Sequence, residues 1–326
     1  MRRYFLAVVA FLILADSLLF ILARQKVPLD FSFISTAVCL NVYLALFLLL
    51  GNGECQSYLK GKVKEGPGTV LVFLLFLVGP YLVYATGTRS FQWFLFLKLA
   101  TYTLLPVLVY FSLKRFPEHW QWQDVVVTLA LWLPLDFRWM RDVWPWPGNS
   151  LAYSLNSLLA TSLGVFLFVC VRRLDQVGYE YQFASTDWLI GLRNFFLFVP
   201  IAIPIGLYTG FIALSKHFAP PWQIALSVLG IFLFIAIPEE LLFRGIIQNL
   251  LEKSWLGSVP ALIVTSLIFG ASHLNNGPRP DWRYFLLASI AGLFYGNSYQ
   301  RTRKLLAPAI VHTLVDAVWR GFFRGA

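Results

Sequence analysis

Residues 222–250 read WQIALSVLGIFLFIAIPEELLFRGIIQNL, an apolar run carrying Glu239, Glu240 and Arg244 near its end. A helix rises about 1.5 Å per residue and needs about 20 apolar residues to cross a bilayer, so this run predicts a membrane-spanning helix. The same rise puts Glu239 roughly 25 Å from the Trp222 end, inside the hydrocarbon. A charged side chain there costs about 2.5–3.5 kcal/mol on insertion scales, so three ionisable groups close together call for a reason.

Outward from this run, similar apolar windows cover Tyr4–Ala23, Phe31–Leu50, Thr69–Thr86, Phe91–Leu113, Leu151–Val171 and Arg193–Ser215. Three shorter ones follow at Ser258–His273, Tyr284–Gln300 and Leu305–Arg320. The expected fold class is therefore all-α, a polytopic integral membrane helical bundle of about 10 transmembrane helices. Composition agrees: of 326 residues, 58% are hydrophobic and 13% charged, against about 45–50% and about 25% in soluble chains. That excludes a soluble, disordered or coiled-coil protein.

The formal charge of +10 has a membrane explanation. Lys and Arg gather beside the apolar windows, at Arg2–Arg3, Lys60/Lys62/Lys64, Lys114–Arg115, Arg172–Arg173 and Arg301/Arg303/Lys304. There they hold helix ends to anionic headgroups, which makes membrane lipids the expected partners. No basic run is long enough to track a phosphate backbone, so no nucleic acid is expected. A small excess of cations in the loops on the N-terminal side favours a cytoplasmic N-terminus. Arg2–Arg3 also resembles the start of a signal peptide, but the apolar stretch is long, contains Asp16 and meets no small-residue cleavage site, so it reads as a retained anchor. Cys39, Cys55 and Cys170 match no metal or redox spacing.

Six tryptophans, Trp120, Trp122, Trp132, Trp139, Trp144 and Trp146, stand among Asp136, Arg138, Arg141 and Asp142. This mixture suits a helix lying in, or dipping into, the interface. The polar stretch from Arg172 to Trp188 is a natural boundary, between an N-terminal transmembrane region at 1–185 and a second domain at 186–326. Before it the helices carry scattered polar residues such as Asp16, Asn41 and Lys98, the last placed to snorkel or to pair with Asp16. After it the ionisable residues cluster.

Helical spacing assigns roles within that cluster. Glu240 and Arg244 are four apart and share a face, the order that favours an ion pair. Glu239, turned by about 100°, is left as the candidate for proton transfer and Glu240 as a structural acceptor. His273 follows Phe269 by one turn, and His312 and Asp316 are again four apart. A carboxylate base with two imidazoles is a minimal hydrolytic site: the base takes a proton from water, and the imidazoles bind either a metal that acidifies it or the oxyanion. Both histidines of the soluble zinc proteases lie on one helix, whereas here three helices must meet.

Plainer readings exist for each group. Glu239, Glu240 and Arg244 could form a salt bridge that only fixes helix register; His273 could be satisfied by a backbone carbonyl; His312 and Asp316 could share a within-helix hydrogen bond. Phe269 reads as packing, and His119 and His217 as solvated residues of connecting segments. Asn297 and Gln300 suit helix ends as well as cavities. A proton-coupled transporter also uses intramembrane Glu, His and Arg, but spreads them along a path, and a non-catalytic membrane scaffold needs none of them. Here they fall in one patch.

Glu-Glu-x-x-x-Arg at 239–244, Phe-x-x-x-His at 269–273 and His-x-x-x-Asp at 312–316 resemble, in that order, the motifs of the CPBP intramembrane proteases (CAAX protease and bacteriocin-processing, or ABI, family). The resemblance covers about Trp188 to Ala326. It implies an all-helical core around a polar cavity and endopeptidase chemistry on a peptide or protein substrate that can be membrane-anchored. It also implies that Glu239 activates water with help from His273, while His312 and Asp316 stabilise the oxyanion or join a metal site. A divalent metal such as zinc, held by His273 and His312, and a metal-free mechanism are both compatible with it. The prenyl-protease branch has Asn at the position of Asp316; an ionised Asp cannot donate to an oxyanion, so prenylated substrates are less strongly implied. Residues before about Tyr181 lie outside the resemblance.

Overall fold

The computed structural model describes residues 2–24, 26–111, 120–216, 219–277 and 279–325. His119, His217, Lys114 and Arg115 lie outside them. The chain forms two compact units that change over between Asp175 and Gln176.

The first unit contains α1 (Arg2–Ala23), α2 (Phe31–Leu50), α3 (Gly53–Glu65), α4 (Gly68–Gly87), α5 (Trp93–Phe111), α6 (Trp122–Asp136) and α7 (Ala152–Val171). Local chemistry sets several starts: the Asp30 carboxylate accepts from the Ser32 and Phe33 N–H groups at the head of α2, and Asn52 caps α3. α3 carries the basic run Lys60, Lys62 and Lys64 and is too polar to cross a membrane. α7 is the central helix, with 89% of its apolar window buried.

The Trp-rich segment does two things. α6 presents Trp122 outward, and Trp139 just after the helix is also exposed, as in an interfacial element. Trp144 instead forms part of the core, ringed by Tyr43, Tyr81 and Tyr84, with its indole N–H donating to Asn156 at 2.7 Å. Lys98 pairs with Asp142 at 2.6 Å rather than with Asp16, whose carboxylate accepts from Asn41 at 2.8 Å. Spacing along one helix does not report which loop folds back over it.

The second unit contains α8 (Ser185–Tyr208), β1 (Ile212–Leu214), α9 (Pro221–Glu252), α10 (Ser258–Ser272), α11 (Trp282–Thr302), α12 (Leu306–Phe322) and β2 (Phe323–Gly325). Pro221 at the first turn of α9 needs no N–H partner there. α9 is not regular: Phe232–Ala236 and Leu241–Gln248 are π-helical and flank Pro238, Glu239 and Glu240. Pro238 has no N–H for the carbonyl four residues back, and wider turns absorb that missing bond. α11 packs against α8, α10 and α12, and α12 also packs on α8. The short strands pair antiparallel, Ile212 with Gly325 and Leu214 with Phe323, which ties the end of α8 to the end of α12.

Among the described residues seven helices, α1, α2, α4, α5, α7, α8 and α9, are long and apolar enough to cross a membrane. α10, α11 and α12 occupy the three further expected windows as shorter or more polar helices. The molecule is a helical membrane bundle whose described strands are only β1 and β2, three residues each.

Candidate active site

The site begins with a buried ion pair on α9. Glu240 and Arg244 are both fully buried, with Arg244 Nε 3.1 Å from Glu240 Oε2 and Nη1 donating to Oε1 at 3.1 Å. The π turn that starts at Leu241 keeps the two on one face. Arg244 also donates to the Gly292 carbonyl of α11 at 3.4 Å, and its guanidinium lies over the Phe269 ring at 4.5 Å and the Tyr295 ring at 5.2 Å. Charge, hydrogen bond and ring faces together compensate a cation that has lost all its water.

His312 of α12 is added to this pair. Its Nδ1 lies 2.8 Å from Glu240 Oε1. Glu240 is held as an acceptor by Arg244, so the hydrogen-bond network assigns the proton to Nδ1, which donates, and leaves Nε2 for chemistry. The ring is fixed from the side by Tyr295, stacked at 4.9 Å and 19°, and by the edge of Phe269 at 5.9 Å. Nε2 then stands 3.9 Å from Glu239 Oε2 and 4.0 Å from Asp316 Oδ1. Both separations are longer than hydrogen bonds, so Asp316 and His312 share a neighbourhood and not a within-helix bond.

His273 begins the short 3₁₀ turn after α10. Its Nδ1 donates to the Phe269 carbonyl at 2.7 Å, and the Ser272 hydroxyl is 3.2 Å away. A carbonyl only accepts, so Nδ1 carries the proton here too, and Nε2 keeps the lone pair. The plain reading of this residue, satisfaction by a backbone carbonyl, accounts for one ring nitrogen and leaves the other. Tyr284 packs on the ring at 4.8 Å and Phe269 at 4.6 Å.

His273, His312 and Asp316 line one cavity of about 190 Å³, whose wall continues through Phe269 and Tyr295 into apolar side chains of α8 and α11. Glu239, with 26% of its side chain exposed, joins the group through His312. Phe269 touches His273, His312 and Arg244 together, so this apolar residue fixes the spacing of the whole cluster. Asn297 and Gln300 serve elsewhere: Asn297 accepts from Arg301, and Gln300 donates to Glu252 and the Ser258 carbonyl.

For a metal, the available donors are the Nε2 atoms of His273 and His312 with the carboxylates beside His312. Among the described residues no three His, Cys, Asp or Glu side chains are placed as a ligand set. Sequence reading missed Tyr295, Tyr284 and Ser272, which hold the two imidazoles. Tyrosines at 284 and 295 of one helix carried no signal until the fold put a histidine against each.

The comparisons bear on the same stretch. Residues 219–318 match the family model described as type II CAAX prenyl endopeptidase Rce1-like, and this range contains all seven motif residues. The chain is 30% identical over 92 residues to the uncharacterized protein YpbD of Bacillus subtilis (strain 168), covering 28% of this chain and 43% of that protein. It is 29% identical over 184 residues to an uncharacterized 24.3 kDa protein of Escherichia coli, covering 50% of this chain and 76% of that one. The match to YpbD thus spans less than half of its length. No solved structure matches. The three motifs and the family match agree on the α9–α12 segment: residues 219–318 match the Rce1-like model, in line with the CPBP/CAAX-protease resemblance of the motifs.

Proposed function

We propose that the chain is an intramembrane endopeptidase of CAAX-protease type that hydrolyses a peptide bond with a glutamate-activated water. The observation that carries the reading is Glu239 at 3.9 Å from a histidine nitrogen kept for chemistry because the other nitrogen is engaged by the buried Glu240–Arg244 pair.

In the proposed reaction His273 Nε2 accepts a hydrogen bond from water and orients it. Glu239 takes its proton, and the oxygen adds to the scissile carbonyl carbon. The oxyanion accepts a hydrogen bond from His312, protonated on Nε2, with Asp316 beside it to stabilise the imidazolium. Collapse of the tetrahedral intermediate breaks the C–N bond, and Glu239 returns its proton to the leaving amine. General-base help contributes about 10²–10⁴ in rate, and an oxyanion donor about 10²–10³.

The substrate is a peptide or protein segment presented at the membrane. The family match makes a prenylated CAAX peptide the first to test, and Asp316, where that branch has Asn, makes its unprenylated counterpart the second. Purified protein in phospholipid vesicles should release a new N-terminus at one position. Glu239→Gln and His273→Ala should each lower the rate by about 10²-fold or more while keeping the wild-type thermal unfolding midpoint. Cleavage retained in either variant refutes its assigned role. The steps need no three-donor set, so cleavage should survive dialysis against EDTA; loss that zinc restores would move His273 and His312 to metal ligation.

A further inference from the structure

Among the described residues of the cavity wall, Arg320 is the only Lys or Arg, and the steps above do not use it. It lies one turn beyond Asp316 and two beyond His312, so the three share a face of α12. Its Nη2 is 4.0 Å from Asp316 Oδ2, too long for a hydrogen bond, and among the described residues this loose ion pair is its only polar contact. A guanidinium presents five N–H donors in a planar fork that matches a carboxylate. Asp316 faces one edge and leaves the other. The neighbouring wall is apolar, with Val315, Val318, Trp319 and Phe323, so a carboxylate entering at this end of the cavity meets Arg320, while the His312 imidazolium of the steps above lies two helical turns away.

We propose that Arg320 is a specificity residue that receives a carboxylate of the substrate. The distance sets where that carboxylate falls. Eight residues of helix separate Arg320 from His312 by about 12 Å, the length of three to four extended residues. The recognised group therefore lies three to four residues from the scissile bond, as a chain terminus or an acidic side chain. The proposal rests on the endopeptidase reading for its register, and on Arg320 alone for the recognition.

Binding and cleavage separate the two. Full-length Glu239→Gln protein in phosphatidylcholine vesicles leaves peptides intact for fluorescence anisotropy. The probes are fluorescein-labelled, farnesylated CAAX peptides made as free acid, as C-terminal amide, and as amides with Glu or Gln at the last position. The free acid should bind roughly tenfold or more tighter than its amide. Arg320→Gln in the same background should erase that preference, and Arg320→Lys should keep part of it. Preference for the Glu amide over the Gln amide as well shows that any carboxylate is accepted; preference for the free acid alone assigns the chain terminus. Equal binding of acid and amide, no saturable binding, preference that survives Arg320→Gln, or a difference seen only in anionic vesicles overturns the proposal, the last in favour of a lipid headgroup. Active protein assayed in parallel judges the other reading: an intact carboxylate preference without cleavage refutes the endopeptidase and leaves the receptor standing.

Discussion

Each unit of this protein buries an acid–arginine pair in its helices, and the two pairs are finished differently. In the first unit Asp124 Oδ1 accepts from the Tyr110 hydroxyl and Arg172 Nε, both at 2.9 Å, while Oδ2 accepts from the Gln121 N–H and Arg172 Nη2. Four donors fill the four lone-pair positions of a carboxylate, and nothing remains for a substrate. In the second unit Glu240 holds Arg244 and His312, and His312 carries the network outward to a nitrogen near Glu239, Asp316 and a cavity. A buried ion pair in a membrane protein is thus weak grounds for function; a third, two-ended member that leads away from it is stronger.

The largest effects should come from opening these pairs. Removing one partner of a buried pair costs about 3–5 kcal/mol, so Asp124→Ala and Glu240→Ala should both lower stability strongly in detergent unfolding. Replacing both partners separates the units. Asp124→Leu/Arg172→Met should cost less than Asp124→Ala, about 1–3 kcal/mol from the Tyr110 hydroxyl and Gln121 N–H that lose their acceptor, and should leave cleavage intact. Glu240→Leu/Arg244→Met should fold as well but lose cleavage, because His312 loses the carboxylate that holds its Nδ1–H and fixes its ring. Equal activity of the two double variants would erase the contrast.

A smaller effect tests whether both units rest on close helix contacts. A Cβ added at Gly270 would lie 2.6 Å from the Phe285 carbonyl oxygen and 2.0 Å from Ser289 Oγ, and one at Gly87 would meet Ser35 Cβ at 2.3 Å. Gly270→Ala and Gly87→Ala should each cost about 1–3 kcal/mol as helices separate. Only Gly270→Ala should reduce cleavage too, since α10 carries Phe269 and leads into His273.

The smallest effect is expected at the surface of the second unit. Arg283 donates to the Gly210 carbonyl before β1 and to Asp281, and its hydrogen bonds to Asp281 hold that carboxyl below its usual pKa. A depressed carboxyl pKa stabilises the fold above the ordinary carboxylate range and is lost as pH falls through the folded value. Unfolding midpoints of wild type and Asp281→Asn should therefore differ by the same small amount from about pH 5 to about pH 8 and converge in acid. A difference that grows toward acid would contradict this assignment.

Much of this is legible in the sequence. Long apolar windows became helices because a bilayer leaves the backbone few alternatives, and the run at 222–250 became α9 nearly residue for residue. Within one helix, four-residue spacing was enough to pair Glu240 with Arg244. What stayed hidden was non-local. Nothing local announces that Glu240 meets a histidine 72 positions on, that Tyr295 stacks on it, or that Lys98 meets Asp142. The π turns around Pro238 were hidden too, because their cause is a hydrogen bond that a proline fails to make, not a hydrophobic period. The strands β1 and β2, three residues each, are too short for an alternation to be read.

The proposed endopeptidase turns on a base at Glu239 in the second unit. Its most direct test is mass-spectrometric detection of cleavage of farnesylated and unprenylated CAAX peptides by wild-type and Glu239→Gln protein, reconstituted side by side and shown to unfold at the same temperature. One new N-terminus is expected with the wild type and none above background with Glu239→Gln. Undiminished cleavage by a folded Glu239→Gln protein would contradict it.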